Sequence, residues 1–232
     1  DQRGRGRSER DPDPANYVPA VYCADMLGFV DRLALDRPIL IGTSMGGLMA
    51  MIMATLRPRA FRAVVLNDVG PVVEQAGLDR IASYVGVQAP IHDWTAAADY
   101  CRRTNGYAFP GYDDPNWLAF ARRLFVENAA GLPELAYDPA IAAGLASTNP
   151  SAVPPDLWPM WQGLVSTPVL AIRGEMSDIL SEQTLQRMAQ AHPAMVAVTV
   201  PGVGHAPMLD EPEALAAIGQ FLDGLNRGDA AT

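Results

Sequence analysis

Residues 17–34, YVPAVYCADMLGFVDRLA, place apolar side chains at three- and four-residue spacings with polar ones between them, the pattern of an amphipathic helix. The next stretch, RPILIG at 37–42, is apolar without alternation, as a strand buried on both faces of a parallel sheet would be. GGLMAMIMATLRP follows, apolar all round and closed by Arg57 and Pro58, which predicts a buried helix. A second strand is expected in AVVLND at 63–68. Helix, strand, helix, strand is the order of a parallel α/β sheet.

That grammar lapses from about Gly70 to Val165, a stretch rich in Pro, Gly and Trp with short helix-like pieces such as WTAAADYCRRTN and NWLAFARRLFVEN. It returns at TPVLAIRG, with a helix at about 181–191, a strand in MVAVTVPG and a closing helix in EALAAIGQFLDGL. The expected organisation is therefore an α/β core of residues 1–70 and 166–232, a mostly parallel sheet flanked by helices. Residues 71–165 would form an inserted helical cap or lid.

Charge narrows the partners. The chain opens on DQRGRGRSER, with arginines at 3, 5, 7 and 10, but it carries 17 Lys and Arg against 26 Asp and Glu, a net charge of -9. Glu9, Asp11 and Asp13 follow at once, so no basic arm for nucleic acid is expected. No run of about eighteen apolar residues marks a membrane span. Cys23 and Cys101 stand far apart, without metal-ligand or disulfide spacing, and read as buried thiols, which favours the cytoplasm.

The chemistry concentrates in PILIGTSMGGLMA, where Gly42-x-Ser44-x-Gly46 lies between a strand and a helix. In such a strand-turn-helix the serine is presented outward, and the turn is so tight that glycine is expected on both sides of it. The Met45 backbone N–H, at the helix N-terminus, is the candidate oxyanion donor. A serine hydroxyl needs a base, and the base an orienting acid. Of three histidines, His92 and His192 read as structural or solvated, whereas His205, in the Gly-rich loop VPGVGHAPMLDEPE, can reach the carboxyl edge of the sheet and is the candidate base. For the acid, Asp178 in LAIRGEMSDILS is preferred, as a short carboxylate able to approach the imidazole from the side; Asp68, leaving the strand VVLND, is the alternative. Glu175 reads as a turn cap.

These residues run Ser, Asp, His along the chain, and DQRGRGRS, IGTSMGG, LND, RGEMSD and GVGHAPMLDEPE fall as landmarks in matching order. The chain thereby resembles the α/β-hydrolases, in a small esterase and lactonase-like branch with a helical cap. Many relatives place the acid where this chain has Ser177. The resemblance implies that DxRGxGxS follows the fourth strand of the fold, so that the first strands precede this sequence. The strand PILIG would then be an exposed apolar edge. It also implies a second oxyanion donor from the loop after the third strand.

The expected activity is hydrolysis of a small carboxylic ester or lactone through an acyl-enzyme on Ser44. Carbon–carbon bond hydrolysis on the same triad, or ligand binding without turnover, are the alternatives. No metal or organic cofactor is implied, since three scattered histidines make no ligand cluster. The partner is a small molecule, and the oligomeric state is open. Trp158 and Trp161, with Trp94 and Trp117, are candidates for the pocket lining, against core packing. Arg102, Arg103, Arg122 and Arg123 could hold a substrate carboxylate, against a solvated helix face.

Overall fold

A computed structural model describes residues 1–84, 91–142 and 156–229. In chain order its main elements are α1 (Pro19–Arg32), β1 (Ile39–Thr43), α2 (Met45–Leu56), β2 (Ala63–Asn67), α3 (Gln75–Tyr84), α4 (Trp94–Asn105), α5 (Asp114–Leu124), β3 (Phe125–Glu127), β4 (Pro133–Leu135), α6 (Trp158–Gly163), β5 (Val169–Gly174), α7 (Glu182–Ala191), β6 (Val196–Val200) and α8 (Pro212–Asp229). Strands β1, β2, β5 and β6 form one parallel sheet in that order. The strand and helix assignments of the sequence thus hold for the sheet.

Every residue of β2 and β5 is buried, which is why β2 reads as apolar up to Asn67 and β5 up to Arg173: a parallel strand in mid-sheet is covered on both faces. On one face Ala63, Val65, Leu170, Ile172 and Val200 pack against Ala214 and Phe221 of α8. On the other lies α2, whose Met49, Met51 and Met53 are buried and which packs against α6. β1 stands at the edge of the described sheet, with Ile41 53% exposed.

Contacts divide the chain into two compact units, residues 26–78 with 154–232 and residues 1–25 with 79–153. The division corrects the boundary expected from sequence: residues 1–25 cluster with the insertion, while 71–78 and 154–165 belong with the sheet. The reason is local pairing. Gly6 N–H bonds the Ala136 carbonyl at 2.7 Å, Asp138 N–H bonds that of Gly4 at 2.7 Å, and the Tyr17 hydroxyl donates to buried Asp138 at 2.6 Å. Within that unit α4 packs on α5, and Phe109, Tyr112, Trp117 and Phe120 stack as one aromatic cluster.

Candidate active site

Three loops at the carboxyl edge of the sheet supply the site. Thr43 pairs in register with Asn67 across β1 and β2, so Ser44 and Asp68 are the next residues on adjacent strands. Both turn out of the sheet with positive φ, 52° at Ser44 and 57° at Asp68. A non-glycine residue in that region costs about 1 to 3 kcal/mol and persists only where its surroundings enforce it. At Ser44 the enforcement is its own N–H, bonded to the Asn67 carbonyl at 2.9 Å, and its carbonyl, which accepts the N–H of Gly47 at 2.9 Å as α2 begins.

The glycine pattern around Ser44 is only half explained by crowding. A Cβ on Gly42 would lie 2.3 Å from the backbone of Gly46, whereas one on Gly46 would meet nothing within 4 Å. The second tight position is Gly47, where a Cβ would come 2.4 Å from Val69. Glycine is thus sterically required before the serine and at the third residue after it.

His205 bridges the two strand ends. Its Nε2 is 2.9 Å from Ser44 Oγ and its Nδ1 is 2.8 Å from Asp68 Oδ2. The His205 side chain is 8% exposed and the Asp68 side chain 0%. A carboxylate so far out of water needs its lone pairs filled, and further donors converge on it: Gly174 N–H on Oδ1 at 2.9 Å and the Ser177 hydroxyl on Oδ2 at 2.7 Å. Ser177 Oγ in turn accepts N–H groups from Ile179 at 3.2 Å and Leu180 at 3.0 Å. With its lone pairs so engaged, its one hydrogen points to Asp68.

The preference for Asp178 is corrected by this geometry: the carboxylate on His205 Nδ1 is the alternative, Asp68. Asp68 ends the strand beside that of the nucleophile, while Asp178 follows β5, one strand further away, in a loop whose backbone packs on Gly77. Ser, Asp, His remains the chain order either way, so order did not discriminate between them. Glu175 behaves as a turn cap, its Oε2 accepting Gly202 N–H at 2.8 Å. Met45 opens α2 directly after Ser44, where first-turn N–H groups have no intrahelical acceptor.

The tryptophans proposed as pocket lining have other neighbours among the described residues. Trp161 is 0% exposed and packs on the ring of His192 at 5.6 Å. Gly163, two residues on, neighbours Thr55 near the far end of α2 from Ser44. Trp158 lies under the Arg187 guanidinium and Trp94 under that of Arg122. Both of these rings thus stack against a cation. Arg102 pairs with Asp99 and Asp114. His92 is exposed. His192 is buried, with Nε2 3.0 Å from the carbonyls of both Leu164 and Thr167.

Among the described residues, no group of three His, Cys, Asp or Glu is placed to hold a metal ion, and no helix is long and apolar enough to cross a membrane. Asn67, which the sequence did not single out, is a buried amide bonded to both the nucleophile's strand and the histidine's loop. Its only sequence signal is one polar side chain inside an apolar strand.

The site has counterparts in known proteins. Residues 1–218 match the model of the alpha/beta hydrolase family. A 3-hydroxybutyrate-oligomer hydrolase of Cupriavidus necator is 32% identical over 97% of this chain and 78% of its own length. A 2-(acetamidomethylene)succinate hydrolase of Mesorhizobium japonicum is 29% identical over 96% of this chain and 77% of its own. Among solved structures, an alpha/beta hydrolase from Novosphingobium aromaticivorans superposes with a TM-score of 0.90 at 41% identity, covering 96% of this chain and 78% of that one. With a parallel sheet, a serine at its strand-to-helix turn and this likeness along nearly its whole length, the chain belongs to the alpha/beta hydrolase family and is a hydrolase.

Proposed function

We propose that this hydrolase cleaves a small carboxylic ester through an acyl-enzyme on Ser44, with a lactone as the cyclic form of the same substrate class. The observation that carries the reading is the unbroken path from Ser44 Oγ through His205 to Asp68 Oδ2, with bonds of 2.9 and 2.8 Å. Ser44 Oγ attacks the ester carbonyl as its proton passes to His205 Nε2, and Asp68 holds the imidazolium by its Nδ1–H. The Met45 N–H faces the developing oxyanion from the start of α2. Collapse expels the alcohol with the proton from Nε2. Water, deprotonated by the same nitrogen, then releases the acid and restores the serine hydroxyl. The likeness to a hydrolase named for 3-hydroxybutyrate oligomers supports an ester as the bond cleaved.

The test is intact mass after treatment with a fluorophosphonate, beside Ser44→Ala, followed by turnover of p-nitrophenyl esters. One adduct that Ser44→Ala abolishes, with continued release of acid, supports the reading. No adduct on the wild type refutes Ser44 as the nucleophile. Acylation without release would assign a binding protein instead of an ester hydrolase.

A further inference from the structure

Asn67 takes no part in the proton path, yet it is bonded to Ser44, to the residue before it and to the loop that carries His205. Its carbonyl accepts the N–H of Ser44 at 2.9 Å. Its Nδ2 lies 2.9 Å from Thr43 Oγ1 and 2.8 Å from the carbonyl of Pro207. Thr43 immediately precedes the nucleophile, Pro207 follows His205 by two residues, and Asp68 is the next residue in the chain. The amide orientation is forced, because a flipped Asn67 would set its oxygen against the Pro207 carbonyl, which has no hydrogen to give. Both amide hydrogens are then used, and Oδ1 is left without a hydrogen-bond partner among the described residues.

The other four residues of β2, Ala63, Val64, Val65 and Leu66, are apolar and buried. An apolar side chain at 67 would continue that pattern without burying an unmatched acceptor. The loop between β6 and α8 is tied at its start, where Gly202 N–H bonds Glu175 and the Val203 carbonyl accepts Met176 N–H, and further on by Met208 N–H to Glu211; the bond that ties Pro207 to the strand end beside Ser44 comes from Asn67.

We propose that Asn67 is a positioning residue that sets the approach of His205 Nε2 to Ser44 Oγ by fastening the histidine's loop to the nucleophile's strand. The inference rests on the proposed role of Ser44. It predicts a loss that falls on chemistry and not on binding, since a displacement of about 1 Å at a reacting pair costs on the order of 100-fold in rate.

The experiment compares Asn67→Leu and Asn67→Ser with the wild type and Ser44→Ala. It measures the second-order rate of fluorophosphonate adduct formation, and kcat and KM for p-nitrophenyl butyrate with active sites counted by the burst. The expected result is a fall of about 10- to 100-fold in kcat per active site and in the adduct rate, with KM within about twofold. Asn67→Ser is small enough to be accommodated should Asn67→Leu fail to fold, and its hydroxyl is too short to bridge Thr43 and Pro207. A purely structural amide would lower Tm and leave kcat per titrated site unchanged, and that result would overturn the proposal. A wild type labelled no better than Ser44→Ala would instead remove the reading of Ser44 and this inference with it.

Discussion

Two buried histidines lie at opposite ends of one sheet. His205 stands at the carboxyl edge, where β1 and β2 deliver Ser44 and Asp68. His192 stands at the other edge, beside the residues that lead into β5 and β6, with Nε2 shared between the carbonyls of Leu164 and Thr167. Both rings are nearly out of water. The difference lies in the partners. Two carbonyls accept a hydrogen and give none, so they pin the proton on Nε2 of His192, and its Nδ1 is without a hydrogen-bond partner among the described residues. His205 has a carboxylate on one side and a hydroxyl on the other, the arrangement that the proposed role needs, in which the ring takes a proton from one group while the other steadies the charge. Burial is common to both rings; the polarity of what each touches is what suits His205, and not His192, to the proposed role of base.

The strongest way to break this comparison is at the carboxylate. Asp68→Asn is expected to lower kcat by about 10⁴-fold, because an amide in place of the acceptor no longer holds the working tautomer, while Asp178→Asn stays near the wild type. Steady-state kinetics on both variants decides it, and equal losses would return the acid to Asp178. At the opposite edge, His192→Ala strands two carbonyls and opens a space beside Trp161. It is expected to cost about 2 kcal/mol of stability, a fall of about 4 to 8 °C in Tm, with kcat per active site unchanged. A loss of kcat without a loss of Tm would contradict a purely structural role there.

The smallest effect concerns buried groups whose burial has no catalytic use. Burial pushes the Cys23 thiol from its ordinary 9.0 up to about 11 and that of Cys101 up to about 12. A raised folded-state value means that the unfolded chain ionises first, so stability contributed by the neutral thiols is complete below pH 9 and declines as pH rises towards 11 and 12. Urea titrations of the wild type and a Cys23→Ala/Cys101→Ala variant under reducing conditions are expected to diverge with that sign between pH 8 and pH 10. In the native protein both thiols should resist a disulfide reagent at pH 8.

Much of this was legible from residue order. The strands announced themselves by apolar runs, the candidate nucleophile by its glycines between strand and helix, and the candidate base by a Gly-rich loop after the last strand. The acid was not, because Asp68 and Asp178 both follow strands, both stand between the serine and the histidine in the chain, and both are aspartates. Only the sheet order β1-β2-β5, which no local pattern encodes, places one of them next to the nucleophile's strand. The tryptophans were ambiguous for a similar reason: a large aromatic ring suits a pocket and a core equally, and Trp161 is buried against the ring of His192. The N-terminal arginine stretch looked like part of the core by position, and joined the insertion through backbone bonds to residues more than a hundred positions away.

The sequence by itself determined the elements and the family landmarks, and singled out Ser44 and His205 as candidates, because periodicity and turn chemistry act over a few neighbouring residues. The tertiary structure decided which carboxylate meets the imidazole, which tryptophans are core, and that Asn67 ties the histidine's loop to the nucleophile's strand, because each of these depends on which strands lie side by side. Strand adjacency is set by the packing of the whole sheet, not by the residues that flank any one strand.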